Sequence, residues 1–397
     1  MKIIKVGVLL IITLLVVSGI VIAQGTGKRY LVKSNNNALK AAYGVQHNFK
    51  KGFTTDLTKG QLKALEKLGL EVEEVQLYNI LGKPSCGDGK CTGKENADNC
   101  PEDCSSSPDP EPDPEPEPRA CYPDAQNPYG IVMTNGGSGG AGVNVAVLDT
   151  GVYTSHPDLD VKLCKDATKR GIKSGCPDND GHGTHVSGTV AANGGADGQG
   201  IYGVAPEANL WMIKVCGRSG CWTDDMAEGI RYAADQGANI ISMSIGGDTE
   251  SSLVRDAIDY AVGKGVLVIA AAGNDGPAIG SIDYPGANAK VVAVAAVDSG
   301  ENVASWSSRG VNDGDYVIEE QDVELAAPGV SVESTYMDGC YAYMSGTSMA
   351  TPHVAGLAAK LWQGNAAATR DYLHSVAKDI STAGDDPATG FGLPISP

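Results

Sequence analysis

The sequence predicts an α/β protein whose body, residues 120–397, is a parallel sheet with helices on both faces. A small α+β segment and a disulfide-rich mini-module precede it. Three observations carry this expectation. Apolar runs at residues 144–148, 210–215, 240–244 and 266–271 read as strands buried on both faces. Helical segments such as 224–236 and 251–264 lie between them, which is the signature of βαβ units. Four cysteines fall within residues 86–104, a stretch too short to build a core without cross-links. In such sheets the site lies beyond the carboxyl ends of the strands, and Asp149 stands at the end of its strand.

Taken from the N-terminus, Lys2 and Lys5 precede an apolar run over residues 6–22, and Val21-Ile22-Ala23 has the form of a small-residue cleavage site. Residues 1–23 therefore read as a signal peptide, with an uncleaved anchor as the alternative. Ten cysteines agree with an oxidising, extracellular destination. Residues 24–83 hold an alternating segment at 29–33, a helix capped by Thr58 with leucines at helical spacing, and a second alternating segment at 70–77. In the module, Cys86, Cys91, Cys100 and Cys104 suit two disulfides, and the pairing is open. A Cys₄ zinc site, or oxygen ligation by Asp88, Glu95, Asp98 and Asp103, are the alternatives. Residues 105–119, Asp-Pro and Glu-Pro repeats, read as an extended, self-repelling spacer.

The net charge of −18 is unevenly spread: residues 24–83 carry +5 and residues 120–397 carry −18. An acidic body excludes a nucleic-acid binder, which needs basic patches. A basic segment beside an acidic body suggests that the two bind each other.

Ser348 lies in Ser345-Gly346-Thr347-Ser348-Met349-Ala350-Thr351-Pro352-His353-Val354-Ala355-Gly356, a small-residue turn feeding an apolar helix. Free N–H groups and the dipole at such a helix start favour negative charge beside the serine. Pro352 is expected in the first helical turn, where proline is tolerated. This stretch resembles the nucleophile segment of the subtilisin-like serine proteases. Val145-Ala146-Val147-Leu148-Asp149-Thr150-Gly151-Val152 resembles their aspartate strand, and His182-Gly183-Thr184-His185-Val186-Ser187-Gly188-Thr189 their histidine helix. The chain order Asp, His, Ser is also theirs. Residues 24–83 resemble the inhibitory propeptide of these enzymes, which by resemblance chaperones folding and blocks the site until it is cut off.

The resemblance implies a role for each residue. Ser348 attacks the peptide carbonyl, His182 acts as general base and then acid, and Asp149 orients the imidazole. Asn274, in Ala272-Gly273-Asn274-Asp275-Gly276, would donate to the oxyanion with the Ser348 backbone N–H. Ser244, Ile245 and Gly246 would pair with an extended substrate, and Ala272 and Gly273 would form the far wall of its primary pocket. Asp283 falls at the pocket floor, where an acid suggests a preference for Lys or Arg, and Arg119 would then be a self-processing site. Asp158 matches a calcium ligand of the family, Gln126 lies near another, and the loop after the histidine helix offers Asn193 and Asp197. That loop is about two residues longer than the common form. His185 and His353 read as structural. Proximity pairs Cys164 with Cys176 and Cys216 with Cys221, leaving Cys121 with Cys340 by subtraction.

The expectation is a secreted, monomeric, calcium-stabilised serine endopeptidase that cleaves polypeptides and is made with its own inhibitor. An esterase would carry Gly-x-Ser-x-Gly, which this serine lacks. The alternative is an inactive, calcium-dependent extracellular binding protein with a protease-like body.

Overall fold

The structure, a computed structural model, describes residues 28–81, 83–84 and 121–397. The expected signal peptide, the cysteine-rich module and the Pro/acidic spacer lie outside the described residues. Among those residues no helix is long and apolar enough to cross a membrane.

Two compact units result, with the described residues up to Gln76, together with Lys169–Gly171, in the smaller one. There β1 (Lys28–Val32) pairs antiparallel with β3 (Gly52–Leu57) and β4 (Val72–Glu74), and β2 (Asn48–Phe49) flanks β3. Helices α1 (Asn37–Tyr43) and α2 (Lys59–Lys67) complete it around Val32, Leu39, Phe53, Leu57 and Leu65. Thr58 caps α2 as expected and exchanges hydrogen bonds with Gln61, which satisfies two otherwise orphan donors. The alternating segment at 70–77 is not one strand. It stops after Glu74, and a new strand, β5 (Leu77–Ile80), belongs to the larger unit.

The larger unit is built on an eight-stranded sheet. In chain order its strands are β7 (Asn144–Asp149), β8 (Val161–Asp166), β9 (Lys173–Ser174), β10 (Asn209–Lys214), β13 (Ile240–Met243), β15 (Leu267–Ala271), β16 (Val291–Val297) and β17 (Leu325–Pro328). Their spatial order is β17-β16-β15-β13-β7-β10-β8-β9, parallel throughout except for the edge pair β8/β9. Alternate residues of a strand point to opposite faces. Val145 and Val147 pack into the core with α4 (His182–Ala191) and α7 (Thr347–Lys360). Leu148 and Ile213 instead border Gly229 on α5 (Thr223–Gln236), which packs on α6 (Ser252–Gly263). These are the layers the apolar runs predict; strands β8, β9, β16 and β17 add to the four expected.

A short helix, α3 (Tyr129–Met133), and smaller strands finish the body. Strands β11 (Cys216–Gly217) and β12 (Gly220–Trp222) form a hairpin, β14 is Ile245–Gly246, and β6 is Lys83–Pro84. Strands β18 (Val332–Thr335) and β19 (Tyr341–Ser345) pair antiparallel. The disulfides are Cys121–Cys340, Cys164–Cys176 and Cys216–Cys221.

At the far edge, helix α8 (Ala366–Ser375) is locked to the sheet by a buried ionic cluster. Glu324, 1% exposed, accepts from Arg370 Nε at 2.7 Å and from Arg370 Nη2, and meets His374 Nε2 at 2.6 Å. The His374 ring stacks on Phe391 with centroids 4.0 Å apart.

Candidate active site

Asp149 ends β7, His182 opens α4 and Ser348 is the second residue of α7, so three elements deliver three buried side chains to one end of the sheet. His182 Nδ1 lies 2.8 Å from Asp149 Oδ1, which also accepts the Thr150 backbone N–H at 2.7 Å. Burial alone would lower the imidazole pKa. The Asp149 carboxylate, with Asp180 and Asp178 behind it, outweighs that and raises it above its ordinary value. His182 Nε2 has no hydrogen-bond partner.

Ser348 Oγ donates to the Ser244 carbonyl at 3.0 Å, and Ser244 Oγ returns a hydrogen bond to the Ser348 carbonyl at 2.8 Å. Pro352 explains the second of these. It lies inside α7, not in its first turn as expected, and has no N–H to give the carbonyl four residues back. That carbonyl belongs to Ser348, and Ser244 satisfies it.

The groove before Ser348 holds residues Leu77–Leu81 of the chain itself. Strand β5 runs antiparallel between β14 and β12, with Ile80 opposite Ile245, Asn79 opposite Gly246, Tyr78 opposite Cys221 and Leu77 opposite Trp222. Leu81 N–H donates to the Ser244 carbonyl at 3.3 Å. The Leu81 carbonyl then accepts from Asn274 Nδ2 at 2.7 Å and from the Ser348 backbone N–H at 3.4 Å. The expected pairing segment (Ser244, Ile245, Gly246) and oxyanion donors thus meet at one peptide carbonyl. The Tyr78 hydroxyl donates to the Thr249 carbonyl at 2.6 Å.

Beyond Leu81 stand Gly246, Ala272, Gly273 and Asp283. Asp283 is held through its own N–H to the Ala272 carbonyl, 2.8 Å away. Both glycines are required: a Cβ on Gly246 would sit 2.7 Å from Asp283 Oδ2 and 2.6 Å from Leu81 Cδ1, and one on Gly273 2.9 Å from Asp283 Oδ2. Carboxylate oxygens of Asp283, Asp275 and Asp248 lie within 4.8 Å of one another. Burial, then the charges of Asp275 and Asp248, push the Asp283 carboxyl up to about 7.

Sequence reasoning missed three contributors. Thr347 fixes Asn274, its N–H and Oγ1 each donating to Asn274 Oδ1 at 3.0 Å, so the amide nitrogen faces Leu81. Asp178 joins the aspartate strand to the histidine helix, accepting from Thr150 Oγ1, from Gly181 N–H and from Thr184 N–H, each at 3.0 Å. Strand β12 is the second wall of the groove. Thr347 stands beside the serine, and Asp178 four residues before the histidine is the kind of acid that caps a helix; β12 leaves no local signal, because its partner is remote.

His185 and His353 are buried and held neutral. His185 Nε2 lies 2.9 Å from the Val332 carbonyl, and burial with the neighbouring His182 charge pushes its pKa down to about 3. His353 Nδ1 lies 2.8 Å from the Met349 carbonyl, and burial pushes its pKa down to about 4.

The residues expected around calcium are brought together away from the groove. Asp158 Oδ2 accepts from Ile201 N–H at 2.8 Å and from Tyr341 Oη at 2.7 Å. Its Oδ1 faces the glycines of the loop: a Cβ on Gly195 would be 2.8 Å from it and 3.5 Å from Asp197 Oδ1. Asn193 Oδ1 accepts Gly195 N–H at 3.1 Å, and Gln126 Nε2 donates to the Gly198 carbonyl. Buried carboxylate and amide oxygens are the kind of donors a hard cation takes.

Comparison with known proteins places the chain among the serine endopeptidases. Residues 140–392 match the subtilase family model. A subtilisin of Bacillus sp. (strain TA39) is 43% identical over 94% of this chain and 91% of its own length. Subtilisin Savinase of Lederbergia lenta is 40% identical over 65% of this chain and 91% of its own. Among solved structures, sphericase superposes with a TM-score of 0.68 at 47% identity, covering 69% of this chain and all of its own. The S41 psychrophilic protease gives 0.67 at 48%, with the same coverage. The chain belongs to the subtilase family.

Proposed function

We propose that the chain is a secreted endopeptidase that hydrolyses peptide bonds through an acyl-enzyme on Ser348. The observation that carries this is the Leu81 carbonyl, held by Asn274 Nδ2 and the Ser348 N–H beside the His182–Asp149 pair. In the reacting state Ser348 Oγ leaves the Ser244 carbonyl for His182 Nε2, the unfilled position of that ring. His182 takes the proton as Oγ adds to the carbonyl carbon, and Asp149 stabilises the imidazolium. Asn274 and the Ser348 N–H stabilise the oxyanion more strongly than the ground-state carbonyl. His182 then protonates the leaving amine, and water repeats the sequence in reverse to free the enzyme. Labelling of Ser348 by a serine-directed phosphonate tests this: absence of labelling on processed protein would favour the inactive binding protein instead.

Residues 24–83 act as an intramolecular inhibitor, since Leu77–Leu81 fill the groove that an extended polypeptide would fill. Their +5 charge complements the −18 of the body.

Asp283 sets a pH-dependent choice of side chain in the primary pocket. A neutral carboxyl accepts Leu, whereas a carboxylate accepts Lys or Arg. With Leu in the pocket Asp283 titrates at about 7, and a bound ammonium would lower that value. The free enzyme's own protonation cancels in the ratio of kcat/KM for Lys over Leu substrates. The ratio is therefore expected to climb by up to roughly tenfold per pH unit on approaching 7 from the acid side, then level off. In Asp283→Ser it should be lower and flat; a wild-type ratio that does not change with pH rules the idea out.

Asp158, Asn193, Asp197 and Gln126 are the residues that would hold calcium, whose role there is to tie the loop to the body. At 100 times the Kd, bound calcium adds about 2.7 kcal/mol of stability. Chelation should accordingly lower the unfolding temperature by several degrees, with Asp158→Asn insensitive to added calcium. Equal unfolding temperatures with and without chelator would count against the site.

A further inference from the structure

We infer that the bond cut in self-processing is Leu81–Gly82, so that the cysteine-rich module is not discarded but remains as the N-terminal part of the mature enzyme. The inference rests on the endopeptidase reading above. It departs from cleavage after Arg119, which would remove the module together with the spacer.

The argument begins with register. Of all carbonyls in the described residues, the Leu81 carbonyl receives both Asn274 Nδ2 and the Ser348 N–H. Its N–H side is fixed as well, because Ile80 and Asn79 pair with Ile245 and Gly246. A one-residue slip would turn every side chain of β5 over and take Tyr78 Oη from the Thr249 carbonyl. The leaving side is also aligned: β6 pairs antiparallel with β19, Lys83 opposite Ser345 and Pro84 opposite Met344. The chain is thus held at Leu81 and again at Lys83, which keeps the Leu81 carbonyl beside Ser348, the condition for attack. Ser348 Oγ adds to the Leu81 carbonyl carbon, and its proton passes through His182 to the Gly82 nitrogen as the C–N bond breaks. Water then hydrolyses the ester, leaving a Leu81 carboxylate and a Gly82 amino terminus.

Everything after that bond stays in one chain, including Cys86, Cys91, Cys100 and Cys104. Both ends of residues 85–120 are attached to one three-stranded sheet, β18-β19-β6. Pro84 pairs with Met344, while Cys121 is bonded to Cys340, four residues earlier on the same strand and its approach. The exit is pinned further, as Glu333 accepts the Asp124 and Ala125 N–H groups at 2.6 and 3.3 Å and Tyr343 Oη donates to Asp124 Oδ2 at 2.8 Å. Cutting at Leu81 frees one end of this loop and leaves the Cys121 anchor intact.

The test is the intact mass and N-terminal sequence of secreted wild type, Ser348→Ala, Leu81→Asp and Arg119→Gln. Wild type and Arg119→Gln should both begin at Gly82, with a mass that includes all ten cysteines; Ser348→Ala should keep residues 24–81. Leu81→Asp adds a further carboxylate beside Asp283, Asp275 and Asp248 and should slow the cut at least tenfold. A mature chain beginning at or near Ala120, or the same Gly82 terminus in Ser348→Ala, overturns the inference. In the first of those cases phosphonate labelling of Ser348 would leave the endopeptidase reading standing. An uncut, unlabelled wild type would overturn both.

Discussion

Ser348→Ala or His182→Ala is expected to lower kcat on a peptide substrate by on the order of 10⁶, a loss known from subtilisin itself. The reason is that the two act as one device. Without His182 the Ser348 hydroxyl keeps its proton, and without Ser348 the imidazole has nothing to activate. The double variant should therefore be no worse than either single one. Asp149→Asn should cost less, about 10⁴, by leaving the wrong tautomer facing the serine. The acid limb of the kcat profile should lie above the pH at which a free imidazole titrates. The reason is that Asp149, Asp180 and Asp178 raise the His182 pKa against the effect of burial and a protonated ring accepts no proton. Steady-state kinetics on a chromogenic peptide would settle both points. A Ser348→Ala enzyme within tenfold of wild type would sink the mechanism.

The largest expected effect on stability lies at the other edge of the sheet. Arg370→Ala leaves Glu324, 1% exposed, without its guanidinium partner, and breaking one side of such a pair costs about 3–5 kcal/mol. Removing both partners with Glu324→Met and Arg370→Met should cost much less than the two single losses added together, since no charge is then stranded. Burial pushes the Glu324 pKa up, but Arg370 and then His374 more than reverse it, so the folded value is depressed. The resulting stability is complete above the pKa of an unfolded glutamate, about 4.3, and is lost as pH falls through the lower folded value. Urea midpoints of wild type, the two single variants and the double variant, at neutral and acid pH, measure this. Strict additivity would mean that the cluster does not act as a unit.

These two sites differ in how far they could be read in advance. Asp149, His182 and Ser348 stand in short motifs, because each must end a strand or open a helix and the chain has few ways to write those junctions. The parallel sheet was likewise legible from runs such as residues 266–271, whose continuous apolarity only double-sided burial explains. Asn274 was visible in its glycine-flanked turn. Thr347 as the anchor of that amide was not, since its role depends on a contact across 73 residues. Glu324, Arg370 and His374 carry no motif at all: an ionic cluster becomes a site only when folding excludes water from it.

The break after Glu74 shows the same division. Sequence alternation resumes after a phase slip at Glu73-Glu74 and continues to Leu77, but period two records which face is apolar and not which sheet the strand joins. Tertiary structure decided that Leu77–Ile80 pairs with β12 and β14, and so which carbonyl meets Asn274. In the same way composition could suggest two fates for the cysteine module and not choose between them. By itself, then, the sequence determined the fold class and the family and pointed to the residues proposed to react, all of which depend on local periodicity and on residue type at element ends. Only the tertiary structure decided the register of the chain in its own groove, the partners of Asp283 and the fixing of Asn274. Each of those is a distance between residues far apart in sequence, and such distances exist only after the backbone has been packed.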